Sequence, residues 1–331
     1  MKKLSILVAI LLIGVLAVSC GSTEAKALKT GFASDTTIAD SISAAGATNG
    51  DAAGYSKMVG VLVGDDGVIV DCVIDAVQTK VEFSSAGKIV TPLTTTFDSK
   101  NILGDAYGLK KVSGIKKEWN EQAAFLADYV VGKTIDQVKG IALSTDGVAT
   151  DKELAAGVTI DIAPYLAVLE KAVANATALG AKEGDTLGLG TVTNIAQSAD
   201  FSATGDGVAV LYSTYALASK NADGVITSSI IDASQAKVTF GAKGNLTVDV
   251  ATTFPTKDVL GDKYGMKVAS SIQKEWNQQA ASFAAFATGK TIDQVKGVSM
   301  DAAGVVTDAE LATSVTIHVG DFIKCLELAT K

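Results

Sequence analysis

The sequence predicts an α+β protein of two tandem homologous domains, each a small antiparallel sheet covered by helices. Three observations carry that reading. A long segment repeats at a constant offset of 157 residues, β-rich runs with turn signals open each copy, and helical periodicity follows them. The repeat is explicit in Gly132-Lys-Thr-Ile-Asp-Gln-Val-Lys-Gly140, which recurs unchanged at 289–297. Lys117-Glu118-Trp119-Asn120 returns as Lys274-Glu275-Trp276-Asn277. Gly104-Asp105-Ala106-Tyr107-Gly108 returns as Gly261-Asp262-Lys263-Tyr264-Gly265. Units of this length are domains and not solenoid turns. The expected boundaries are 1–19 for a signal peptide, 20–30 for a flexible tether, 31–180 for the first repeat and 186–331 for the second.

In the first copy, residues 58–63 and 68–77 are rich in β-formers and flank Gly64-Asp-Asp-Gly67, a hairpin signal. Residues 81–83 and 88–90 flank Ser84-Ser-Ala-Gly87 in the same way, which predicts a three- or four-stranded meander. Ile115, Trp119, Ala123, Leu126 and Val130 recur at helical spacing and predict a helix over 114–131. A short helix capped by Thr134 follows. The last helix is expected over 163–178, with Pro164 in a first turn that needs no amide donor.

Composition excludes several function classes. The 331 residues carry 28 cations, all lysine, against 36 carboxylates, for a net charge of −8. With no arginine and no basic stripe, nucleic-acid binding is excluded. One histidine, His318, cannot supply a catalytic triad to each domain or a multi-histidine metal site. Two of the three cysteines, Cys72 and Cys325, lie one in each repeat, opposite Ser229 and Val168. They read as small buried apolar residues, with a disulfide the alternative.

Met1-Lys2-Lys3 and the apolar run 4–18 read as a cleaved signal, too short at about 1.5 Å per residue for a comfortable membrane span. The run ends in Leu16-Ala17-Val18-Ser19-Cys20-Gly21, which resembles a bacterial lipobox with Cys20 as the lipid-bearing residue. The expected location is the extracellular face of the cell membrane, held by lipid alone because the chain is acidic.

With few reactive residue types, the chemistry is sought in a bound group. Glu153-Leu-Ala-Ala-Gly-Val-Thr159 and Glu310-Leu-Ala-Thr-Ser-Val-Thr316 each set an acid six positions before a threonine, just ahead of a helix. Helix N-termini offer amides and a positive dipole end to phosphate. The pattern resembles the attachment motif of FMN-binding domains, Asp-x-x-Ser-Gly-Ala-Thr, whose final threonine joins FMN through a phosphoester. Glu153 and Glu310 stand for the aspartate, Val158 and Val315 for the alanine, and Thr159 and Thr316 for the acceptor. Gly46-Ala47-Thr48 matches the last three letters too, but a turn follows it and its counterpart is Gly205, so it reads as linker.

A lipobox followed by two copies of Gly-Asp-x-Tyr-Gly, Lys-Glu-Trp-Asn, Gly-Lys-Thr and Val-Thr-Ile resembles the PplA-type flavinylated lipoproteins of Gram-positive bacteria. The resemblance implies an extracellular electron carrier, not a classical enzyme, with up to two covalent FMN groups on Thr159 and Thr316. It implies a flavin transferase that loads them, a membrane NADH dehydrogenase and quinone pool as donor, and acceptors such as ferric iron. Tyr107 and Tyr264, in glycine-flanked loops, and Trp119 and Trp276 are candidates to contact the flavin ring. Lys110 and Lys267 are candidates to offset its phosphate charge. The alternative is a lipid-anchored surface binding module that uses the same duplicated fold without flavin.

Overall fold

The computed structural model describes residues 25–331, so the signal peptide and Cys20 lie outside the described residues. The first repeat contains strands β1 (Ala27–Thr37), β2 (Gly50–Val63), β3 (Ile69–Phe83) and β4 (Thr96–Phe97). Helices α1 (Lys100–Leu103), α2 (Trp119–Val130), α3 (Ile135–Lys139), α4 (Lys152–Gly157) and α5 (Ala163–Ala174) follow. Strand β5 (Thr177–Lys182) leads into β6 (Thr186–Asn194), β7 (Gly207–Lys220) and β8 (Ile226–Phe240). The second repeat closes with α6 (Lys257–Leu260), α7 (Trp276–Ala287), α8 (Ile292–Lys296) and α9 (Gly320–Ala329). The fold is α+β, with two four-stranded antiparallel sheets in the orders β3-β2-β1-β5 and β4-β6-β7-β8.

Strand alternation explains the layers. On β2, Val59, Val61 and Val63 face a core shared with Leu126, Val130 and Leu169 of the helices. On the opposite face, Met58 packs against Tyr215 and Leu217 of the other sheet. Ala52 packs against Leu211 and Phe240 of that same sheet. The second repeat is built the same way, with Ala216 and Ala218 toward α7 and α9 and Leu217 toward the first sheet. Two sheets therefore pack face to face, and a helical layer covers the outer face of each. The repeats are also interlocked, because β4 of the first pairs with β6 of the second.

An approximate twofold axis runs through this interface. Phe83 and its counterpart Phe240 stack with ring centroids 4.2 Å apart and planes 3° from parallel. Thr30 Oγ1 meets Ser228 Oγ at 2.7 Å, and the symmetry-related contact is the Leu187 amide donating to Asp71 Oδ2 at 3.0 Å.

The structure differs from the sequence expectation at several elements. β1 starts at Ala27, inside the stretch read as tether, and β3 is one strand of 15 residues where two were expected. Both are buried on two faces, so neither shows clean alternation. Residues 88–90 form one isolated bridge, Ile89 to Phe83, and not a strand. The long helix starts at Trp119 and not at residue 114, because Lys116 takes φ 53° and Glu118 forms the N-cap. The last helix of the first repeat ends at Ala174, and Thr177–Lys182 forms β5 against β1. Cys72 and Cys325 are both buried and free. Thr48 sits in the tight turn that it closes with Ala45.

Candidate functional site

The first turn of α2 organises the site in one repeat, and the first turn of α7 does so in the other. Each helix opens with a capping box, in which Glu118 or Glu275 holds the N-terminus. The same carboxylate reaches back to the preceding loop. Glu118 accepts the Leu109 amide at 2.8 Å and the Lys110 amide at 3.1 Å, and Glu275 accepts Met266 and Lys267, both at 2.9 Å. Each glutamate is 2% exposed. A buried acid thus clamps the tyrosine-bearing loop onto a helix N-terminus, where the dipole favours negative charge.

One turn later, Gln122 and Gln279, both fully buried, hold the two candidate threonines. Gln122 Oε1 accepts the Thr159 amide at 2.8 Å and the Thr159 hydroxyl at 3.3 Å. Its Nε2 donates to Lys117 O at 3.1 Å and to Ser113 Oγ at 3.3 Å. Gln279 repeats the pattern with Thr316 at 2.8 and 3.2 Å, and with Lys274 O and Ser270 Oγ at 3.2 Å each. Thr159 is exposed and Thr316 is half-buried. Beside Thr316 a groove of about 260 Å³ is lined by Met266, Ala269, Ser270, Ser271 and Gln279. Sequence reasoning passed over both glutamines, although Gln-Ala-Ala recurs at the same offset just beyond the Trp-Asn pair.

The threonines precede their helices by several residues, so they are not themselves the helix N-termini. Asp161 Oδ1 takes the Ala163 amide at the start of α5, and the Thr159 amide is spent on Gln122. Lys110 and Lys267 are exposed, on the loops that the glutamates clamp.

The aromatic candidates converge on a lysine. Lys100, at the start of α1, is 3% exposed, and its ammonium lies 4.6, 4.4 and 5.0 Å from the ring centroids of Tyr55, Tyr107 and Trp119. It also donates to Tyr55 Oη at 3.0 Å. Lys257 is 4% exposed and sits 4.6, 4.5 and 4.6 Å from Tyr212, Tyr264 and Trp276, donating to Tyr212 Oη at 2.8 Å. The rings supply cation–π attraction in place of water. Tyr107 and Trp119 are thus turned toward a lysine, as are Tyr264 and Trp276.

A buried carboxylate on the neighbouring strand holds the backbone just after each caged lysine. Asp75 accepts the Ala76 amide at 2.7 Å and the Asn101 amide at 3.1 Å, and Asp232 accepts Ala233 and Asp258 at 2.7 and 3.0 Å. Burial pushes Asp75 up to about 6 and Asp232 up to about 7. It pushes Lys100 and Lys257 down to about 8 each. The cages differ in two partners. Lys57, whose ammonium lies 4.6 Å from the Tyr55 ring centroid, has Thr214 as its counterpart. Tyr55 Oη bonds Tyr165 Oη at 2.6 Å, whereas the counterpart of Tyr165 is Phe322, which meets Trp276 edge-on.

No protein-family model, curated protein or solved structure matches the chain.

Proposed function

We propose that the protein is a lipid-anchored extracellular electron carrier with FMN joined covalently to Thr159 and Thr316. The observation that carries this reading is the threonine–glutamine pair, built twice with nearly the same distances and with both hydroxyls reachable.

The residues present fit a phosphoester. Esterification removes the hydroxyl proton, and the bond it breaks is the long contact from Oγ1 to the glutamine. The glutamine oxygen keeps the shorter bond from the threonine amide, so no buried acceptor is orphaned. Gln122 and Gln279 therefore fix the backbone of the acceptor whether or not it is modified. The groove beside Thr316 leaves room along the chain for a tethered group, with Ser270 and Ser271 as hydrogen-bonding partners. Lys110 and Lys267, exposed on adjoining loops, offer positive charge to a phosphate.

Bound FMN supplies the electron chemistry; the protein supplies attachment, orientation and a tether. Covalent linkage suits a site outside the membrane, where free FMN would diffuse away. In this reading a flavin transferase loads the chain, and a membrane NADH dehydrogenase and quinone pool reduce it. External acceptors such as ferric iron take the electrons. Lipid on Cys20 keeps both groups near the membrane at high effective concentration.

The test is to produce the chain together with a flavin transferase and measure its visible absorbance and intact mass. The expected product is yellow, carries added mass equal to FMN less water, and is bleached by dithionite. A colourless chain of unmodified mass overturns the proposal.

A further inference from the structure

A cavity of about 970 Å³ lies between the two repeats and is lined by neither candidate threonine. β1, the end of α5 and β5 form one wall; β8, the segment before α6 and the body of α7 form the other. Much of the lining is apolar, with Phe32, Ile230, Phe254, Ala281 and Ala285 among its residues. The volume stands near the top of the range for small-molecule sites, so it accommodates more than a single ring.

Three residues of this lining each carry a buried polar atom with no partner. Ser34 Oγ, Ser229 Oγ and Asn277 Oδ1 are buried without a hydrogen bond, and Ser229 is 6% exposed. Such atoms cost stability unless something supplies their bonds. The one other orphan among the described residues is Oδ1 of Asn120, the counterpart of Asn277. The counterparts of Ser34 and Ser229 are Thr191, which donates to Thr214 O at 3.0 Å, and Cys72. The complete trio thus occurs in this one place.

Donor and acceptor roles define the ligand. Asn277 Nδ2 lies 3.5 Å from Asp258 Oδ1, which leaves its carbonyl oxygen as an acceptor in need of a donor. The serine hydroxyls can donate or accept. Charge narrows the class further. Asp35, Asp232 and Asp258 line the cavity, and the lining lysine, Lys171, is engaged with Asp35 at 3.8 Å, so an anion finds no free cation. Asp232, the buried carboxylate of the three, already accepts two amides.

We infer that this cavity binds a neutral, largely apolar small molecule that donates a hydroxyl or N–H hydrogen bond to Asn277 Oδ1, with Ser34 and Ser229 completing its polar contacts. The inference goes beyond the flavin reading and stands whether or not either threonine is modified.

The test is a fluorescence titration of the full mature chain with four probes that share one ring system: pyrenemethanol, methylpyrene, pyrenecarboxylate and pyrenemethylammonium. Pyrenemethanol is expected to bind saturably at one per chain, and the other three about tenfold more weakly. Asn277→Leu is expected to weaken pyrenemethanol about tenfold and leave methylpyrene unchanged. Ala281→Trp, which fills the cavity, abolishes both. If Asn277→Leu does not fold by circular dichroism, Ser229→Ala takes its place, with an expected loss of about threefold for pyrenemethanol alone. No saturable binding, equal binding of all four probes, preference for the ammonium, or indifference to both the polar and the filling substitution overturns the inference.

Discussion

The two repeats keep one region nearly identical and have let another diverge, and the contrast separates what each copy does from how the copies fit. Around α2 and α7 the clamp, the glutamine–threonine pair and the caged lysine recur with matching distances. At the interface, equivalent residues meet each other across the twofold axis and have become complementary. A Cβ on Gly60 would lie 2.1 Å from Cδ1 of Leu217, its own counterpart, and one on Gly54 would lie 2.4 Å from Cδ1 of Leu211. Two leucines cannot share either position, and two glycines would leave a void. A symmetric homodimer must place the same residue on both sides of its axis; a tandem duplication need not.

Making the copies alike at the axis should therefore produce the largest effect. Gly60→Leu is expected to destabilise by about 3 kcal/mol or more, read by chemical denaturation, because strand backbone and Leu217 leave no room. Combining it with Leu217→Gly exchanges knob and hole and should recover most of the loss. An effect below about 1 kcal/mol for Gly60→Leu would mean that the sheets do not meet there.

The next effect belongs to the shared region. The folded state holds Lys100 and Lys257 at about 8, below the ordinary lysine value, so it resists protonating them. The unfavourable contribution is full below about pH 8 and is relieved as pH rises toward the unfolded value. Asp75 and Asp232 act oppositely. Raised to about 6 and 7, they stabilise most below the ordinary carboxylate value, and that contribution is lost as pH rises through 6 to 7. Each lysine should then add about 2 kcal/mol between about pH 7.5 and 9.5, below the range in which Tyr55, pushed up to about 12, takes part. Cys72 and Cys325, whose thiols burial pushes up, act against this gain at the upper end of the window, where thiols of the unfolded chain ionise. Lys100→Met with Lys257→Met should remove the lysine contribution and leave the decline that the two thiols cause. A rise that persists in the double variant would contradict the cages.

Gln122→Leu and Gln279→Leu should each cost about 2 kcal/mol, because either leaves a buried amide and carbonyl unpaired. Equal costs in thermal melts would show the two sites to be equivalent. Tyr165→Phe should cost about 1 kcal/mol through loss of the Tyr55 bond, at the position where the second repeat already has Phe322.

How these regions read in the sequence follows from the same physics. The cap at Thr134 and Pro164 in a first turn are legible because they are local, and the duplication is legible because whole motifs recur at one offset. The start of β1 reads as a tether because residues 21–29 are small and polar, and the strands that pair with it, β2 and β5, lie further along the chain. β5 looked like the end of a helix, since Thr-Ala-Leu-Gly carries no strand period and its pairing partner lies some 150 residues away. The site was half visible. Thr159 and Thr316 stood out by motif, but Lys100 and Lys257 did not, because a lone lysine reads as solvated until the fold brings three rings around it. Their recurrence four residues before Gly104 and Gly261 was the available signal.

The central claim is that each repeat carries one equivalent attachment site. Intact mass of the chain coproduced with a flavin transferase tests it most directly. The account predicts two adducts of FMN less water on the parent chain, one on Thr159→Ala or on Thr316→Ala, and none on the double variant. Adducts that persist in the double variant, or a parent chain with none, would contradict it.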